Sequence, residues 1–153
     1  MKNIFYFFTS FVFVNFSFSQ NSNVILQVNG KILNGEITNL YLQFGEGKDA
    51  KRIPANYYPG DLILNEKALS LINSDSLNKF QLHFDYNTYK KNSHQIASFD
   101  IELNKNIIKQ PYLIIDVFDF RDENYKRWYQ YITKEKYLPQ LIYPNSGIYI
   151  KMK

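Results

Sequence analysis

"KFQLHFDYNTYKKNSHQIASFDIELN", residues 79–104, carries the clearest period-two pattern in the chain. Phe80, Leu82, Phe84 and Tyr86 alternate with Gln81, His83 and Asp85. Further on, Ala97, Phe99, Ile101 and Leu103 alternate with Ser98, Asp100 and Glu102. Successive strand side chains point to opposite faces, so each run lays an apolar row on a core and turns a polar row toward water. The polar stretch from Asn87 to Ser93 reads as a loop. Together the two runs predict an antiparallel hairpin with a long polar tip.

Working outward toward the N-terminus, Leu40, Leu42 and Phe44 repeat the alternation against Asn39, Tyr41 and Gln43. Val24 to Val28 reads as a strand, and Asn29-Gly30 is a favoured pair for a two-residue hairpin turn into Lys31-Ile32-Leu33. Pro54 weakens a central-strand reading of Ile53 to Tyr58, because proline gives no N–H to a ladder. Tyr58-Pro59-Gly60-Asp61 is a turn leading into Leu62-Ile63-Leu64. One short helix is expected near residues 65–73, with Asn65 as its cap and Glu66 in its first turn.

Toward the C-terminus, Tyr112 to Phe120 is apolar on both faces, the pattern of a central strand. Tyr125 to Tyr131 fits a strand or a helical turn. Tyr137 to Tyr143 and Gly147 to Met152 suggest a last hairpin. Many short strands separated by turn signals predict an all-β fold, a single antiparallel β-sandwich of Ig-like or similar type.

The first residues are of another kind. Lys2 precedes an apolar run to Phe18, and Ser17-Phe18-Ser19 sets small residues two apart. That arrangement predicts a secretory signal over residues 1–19, cleaved after Ser19, and one domain over residues 20–153. The run is too short and too polar for an ordinary spanning helix, so no stable membrane anchor is expected after cleavage. The remaining 134 residues carry 17 basic and 14 acidic side chains, a net of +3. So mild a charge gives no argument for nucleic acid as a partner. The chain has no cysteine, which excludes disulfides, thiolate zinc sites and a cysteine nucleophile.

Few residues invite chemistry. Asp116 lies between Ile115 and Val117, on the strand face of Tyr112, Ile114, Phe118 and Phe120. A carboxylate there needs a partner, and it reads as a buried polar group serving either structure or a site. Asp116, Asp119, Asp122 and Glu123 are acidic, but alternation separates Asp116 from Asp119 and no calcium loop is present, so no metal is expected. His83 reads as a solvated residue beside Gln81 and Asp85, and His94 as part of the hairpin tip. Neither belongs to a nucleophile elbow or a metalloprotease helix, so no catalytic residue and no cofactor are expected. Tyr125, Arg127, Trp128, Tyr129 and Tyr131 form a basic-aromatic region, and the stretch from Arg121 to Lys153 has a local charge of +4. Such residues can stack on sugar rings or engage acidic groups, or the aromatics can fill the core.

A signal followed by one aromatic- and Asn-rich β domain resembles small exported proteins of Bacteroidetes. The function expected is non-catalytic: a binding or accessory protein in the periplasm or at the surface of a Gram-negative bacterium. Its partner would be an envelope protein or glycan, met by an edge strand or by the aromatic-basic face. A carbohydrate-binding module and a small inhibitor of a secreted hydrolase are the alternatives.

Overall fold

The computed structural model describes residues 21–75, 77–90, 93–129 and 135–147, and only the backbone of Asn21, Lys90, Trp128 and Tyr129. The residues read as a signal, Tyr131, and the arm expected up to Met152 lie outside the described residues. The described chain is mostly β, with sheets packed against each other.

In chain order the strands are β1 (Asn21–Ser22), β2 (Val24–Val28), β3 (Lys31–Ile32), β4 (Ile37–Phe44), β5 (Lys51–Pro54), β6 (Asn56–Tyr58) and β7 (Asp61–Ile63). There follow α1 (Glu66–Asn73), β8 (Lys79–Lys90), β9 (Ser93–Asn104), α2 (Lys105–Ile108), β10 (Leu113–Asp119), α3 (Glu123–Tyr129) and β11 (Tyr137–Ile142). They build a three-stranded sheet of order β1-β7-β6 and two four-stranded sheets, β5-β4-β8-β9 and β11-β10-β2-β3.

The alternating stretch forms the hairpin it predicts, with one correction. The ladder runs from Lys79↔Asn104 to Lys90↔Ser93, so the expected long loop is mostly paired strand. Polar residues mark the wet face of a strand as readily as a loop, and here they extend the ladder. Inside, Phe84 and Phe99 are fully buried with ring centroids 5.3 Å apart, and Phe44 lies 5.4 Å from Phe80.

β4 joins β8 antiparallel, with a register shift between Thr38 and Tyr41 where Asn39 takes φ 52°. That left-handed residue lets the strand bulge and twist. Pro54 ends β5 at the sheet's edge, where its missing N–H faces no neighbour.

The second four-stranded sheet departs from the all-antiparallel expectation. β2 and β3 do form a hairpin over Asn29 (φ 54°) and Gly30 (φ 73°), two positive angles that the turn demands. β10 is indeed central, but it pairs parallel with β2, from Leu113↔Val24 to Val117↔Val28. On its other side β10 pairs antiparallel with β11.

Helix α1 is capped as read: the Asn65 side chain accepts from the Ala68 N–H at 2.9 Å, and Ala68 and Ile72 face the core. It is not the sole helix. Asn104 caps α2 by accepting from the N–H groups of Asn106 and Ile107. Asp122 opens α3, its side chain accepting from the Asn124 N–H at 3.0 Å, which settles the ambiguous stretch from Tyr125 as helical.

Three tyrosine hydroxyls tie the elements together. Leu26 N–H donates to Tyr57 Oη at 2.9 Å, joining β2 to β6. Tyr137 Oη on β11 accepts from Asp100 N–H at 2.9 Å and donates to Asp100 C=O at 3.0 Å, closing part of the outer edge of β9. Tyr125 Oη donates to Asn29 C=O at 2.9 Å, fixing α3 to the β2–β3 turn. Each bond gives a backbone group a partner that the ladders do not supply.

Candidate functional site

Between the tip half of the β8–β9 hairpin and the neighbouring ends of β2 and β10 lies an open cleft of about 1060 Å³. Val28, Asn29, Lys31 and Glu36 form one wall, and Tyr86 to Tyr89 with Gln95 to Ala97 form another. Asp119, Arg121, Asp122 and Tyr125 complete it.

Arg121 anchors the floor. Its Nε donates to Asp119 Oδ1 at 2.7 Å, and its backbone N–H donates to the same oxygen at 3.0 Å. Its Cζ stands 5.4 Å from the centroid of the Phe99 ring, and Nη1 reaches Ile96 C=O at 3.5 Å. One guanidinium thus bridges the two large sheets. Asn29 holds Asp119 from the other side, accepting its N–H at 2.8 Å. At the opposite wall Lys31 Nζ pairs with Glu36 Oε1 at 2.7 Å. This bond, with the Asn34 N–H, draws the Glu36 carboxyl down to about 2 and raises the Lys31 amine.

The outer row of the hairpin tip, on the opposite face from Tyr86 and Ala97, carries exposed hydrophobic surface. Tyr89 is 79% exposed and Ile96 is 55% exposed. The Tyr89 ring stacks on His94 across the ladder, with centroids 5.0 Å apart and planes 26° from parallel. Asn87 is fixed beneath them: its Nδ2 donates to Thr38 Oγ1 at 2.8 Å and to Glu36 C=O at 3.1 Å, and its Oδ1 lies 2.9 Å from His94 Nε2.

Of the basic-aromatic residues singled out in the sequence, the cleft gathers Tyr125 among those described, and of the acidic group it gathers Asp119 and Asp122. Arg127 is exposed on α3 and does not line it. The side chains of Trp128 and Tyr129 lie outside the described set, as does all of Tyr131. Tyr86, Tyr89, Lys31 and Arg121 were missed. The signal that could have found them was the hairpin register, since pairing Leu82 with Ile101 sets Tyr89 against His94.

Asp116 is buried, 9% exposed, away from the cleft. Its Oδ1 accepts from Gly30 N–H at 3.2 Å, and Gln27 and Gln140 are its neighbours across the sheet. Burial raises its pKa, and the single Gly30 hydrogen bond offsets this only in part. Its partner is therefore a backbone N–H, which makes it a lock on the tight turn.

His83 is not the solvated residue expected. It is 9% exposed and stacks on Tyr41, with centroids 4.4 Å apart. Nδ1 is 2.7 Å from Asp100 Oδ1 and Nε2 is 3.4 Å from Asp85 Oδ1. Both ring nitrogens face carboxylates of its own sheet, and the ring lies outside the cleft. Among the described residues, no group of three or more carboxylates and imidazoles is placed to hold a metal ion. No described helix is long and apolar enough to cross a membrane.

No protein family matches the chain, and neither a curated protein nor a solved structure is significantly similar to it.

Proposed function

We propose that the chain is an exported, non-catalytic binding protein of the bacterial envelope, built on a β-sandwich and taking its ligand in the cleft between the hairpin tip and Arg121. The observation that carries this reading is an open cleft bordered by Tyr86 and Tyr125, while the groups best suited to chemistry, His83 and Asp116, do not line it. His83 commits Nδ1 to Asp100 at 2.7 Å and buries its ring against Tyr41, and Asp116 holds a turn. A general base needs a nitrogen or oxygen within reach of its substrate.

Recognition by an edge strand has less support than the cleft. β5 ends in Pro54, and β3 has two residues. β11 carries Pro139, and on β9 the Asp100 N–H and C=O are bonded to Tyr137. Short strands, prolines and covered groups are the means by which sheets discourage strand addition.

The test is retention of the tagged full chain on isolated envelope material. Gln95→Arg sets a bulky charge at an exposed position on the row of β9 that lines the cleft, and Tyr58→Arg does the same at an exposed position elsewhere. The reading expects retention to be lost with the first and kept with the second. Equal retention by both variants would remove the cleft assignment. N-terminal sequencing tests export: Gln20 at the start of periplasmic material supports it, and intact Met1 on cytosolic material overturns it.

A further inference from the structure

The chain holds the dipeptide Asn-Gly twice, at Asn29-Gly30 and at Asn34-Gly35. Asparagine is a thermally labile residue, and its chemistry here needs only water as co-reactant. The glycine's backbone nitrogen attacks the asparagine Cγ and closes a succinimide ring. The Cγ–Nδ2 bond breaks, and ammonia leaves with the proton that the attacking nitrogen gives up. Water then opens the ring at either carbonyl, so aspartate or isoaspartate replaces the amide. Glycine is the most reactive follower, because it has no Cβ to crowd the attack. By residue type the two dipeptides are equal, and the fold separates them.

At Asn29 the reacting atoms are occupied. Asn29 Oδ1 accepts from Asp119 N–H at 2.8 Å, and Nδ2 donates to Asp119 C=O at 3.4 Å. The nucleophile, Gly30 N–H, donates to Asp116 Oδ1 at 3.2 Å. The Asn29 carbonyl accepts from Tyr125 Oη and its N–H donates to Val117 C=O, each at 2.9 Å, so the backbone is pinned as well. Turning this side chain onto Gly30 would break several of these bonds at once.

At Asn34 the same atoms are open. Asn34 and Gly35 are both exposed, and among the described residues neither the Asn34 side-chain amide nor the Gly35 N–H carries a hydrogen bond. No heavy atom lies within 4 Å of the place a Gly35 Cβ would take. We propose that Asn34 is a site of spontaneous deamidation, and that Asn29 is shielded from the same reaction by its hydrogen bonds. The product reaches past the loop. Asn34 N–H donates to Glu36 Oε2 at 2.9 Å, Glu36 pairs with Lys31, and both of these line the cleft. Isoaspartate adds one carbon to the main chain inside the loop that this bond closes, and either product adds a negative charge two residues from Glu36. The site does not depend on what the cleft binds.

The experiment is peptide mapping by mass spectrometry of the purified full chain, aged at body temperature in mildly alkaline buffer, with and without urea. In the folded chain Asn34 is expected to convert at least about tenfold faster than Asn29. An isoaspartate-directed methyltransferase should label the Asn34 peptide. Gly35→Ala, for which there is space, is expected to slow Asn34 at least about tenfold. In urea the two rates should converge to within about threefold, since the shielding bonds are gone. Asn34 staying intact in the folded chain while the unfolded chain reacts would overturn the site. Asn29 converting as fast as Asn34 in the folded chain would overturn the shielding. A gap as wide in urea as in the folded chain would do so too, by assigning it to neighbouring residues.

Discussion

The two four-stranded sheets reach stability by different routes. In β5-β4-β8-β9 every pair is antiparallel and two of the three join consecutive strands, and the apolar row of β9 (Ala97, Phe99, Ile101, Leu103) is buried while its opposite row is exposed. In β11-β10-β2-β3, the central pair is parallel and joins segments from opposite ends of the domain. On β10 even Ile114 and Phe118, outside the inner row, are half-buried. The first sheet is fastened mainly by apolar area on one face. The second also relies on single side-chain hydrogen bonds to its backbone: Tyr57 on Leu26 and Tyr125 on Asn29 from outside the sheet, and Asp116 on Gly30 from within it. A chain without cysteine has no covalent staple, and these hydrogen bonds take over the task of joining layers.

The largest effect should come from the first sheet's core. Phe84→Ala removes a fully buried ring packed on Phe99, and is expected to cost about 3–5 kcal/mol in urea unfolding. That is a large share of the ~5–15 kcal/mol typical of a domain. A cost below about 2 kcal/mol would mean that this sheet does not depend on area as argued.

Next in size is the second sheet's fastening. Tyr57→Phe keeps the ring and deletes the hydroxyl, leaving the Leu26 N–H without its partner beneath a fully buried side chain. The expected cost is about 1–3 kcal/mol, against about 0.5–1.5 kcal/mol for Tyr137→Phe, whose bonds lie at a more exposed edge. Equal costs, measured by denaturant unfolding, would erase the distinction between a buried tie and an edge closure. Faster hydrogen exchange at Asp100 N–H in Tyr137→Phe would sharpen it.

The smallest effect is a pH dependence of opposite sign in two carboxyls. Burial holds the Asp116 pKa above its ordinary 3.8, so the native state binds more protons than the unfolded chain, and stability falls as pH rises through that window. Asp116→Asn keeps an acceptor for Gly30 N–H. It is expected to stabilise at pH 7 by about 1 kcal/mol or less, with the gain vanishing once acid protonates the wild-type carboxyl. Glu36 runs the other way. Its native value of about 2 against an ordinary 4.5 gives stability that is present above pH 4.5 and lost as pH falls toward 2. Thermal melts of wild type, Asp116→Asn and Glu36→Gln between pH 2 and 7 separate the two.

The sheets also differ in how much of them can be read from residues alone. The hairpin, the Asn29-Gly30 turn and the Asn65 cap are local, so their signals sit within a few residues of the structure they cause. The parallel pairing of β2 with β10 has no such signal. Val24–Val28 carries the same apolar pattern whichever strand lies beside it. The cleft was hidden for a narrower reason: reading Asn87 to Ser93 as loop cut the ladder short, and with it the pairs that set Tyr89 on His94 and place the tip opposite Arg121. His83 was misplaced by the rule that a polar row faces water. Its burial comes from Tyr41 on β4 and Asp100 on β9, neither adjacent in sequence. Tyr125 was legible as a candidate, although its hydroxyl tethers a helix to the turn beside the site.

The pairing of Val24 with Leu113 also sets an order of events. A ribosome delivers β2 early and its partner β10 only after more than half the chain has followed, so the first core strand waits alone while the long hairpin zips behind it. Closing so large a loop makes the final docking slow, as high contact order does in general. If the chain is exported as proposed, that delay is an asset in a translocation pore: the sheet that completes the domain cannot form until its last strands have arrived.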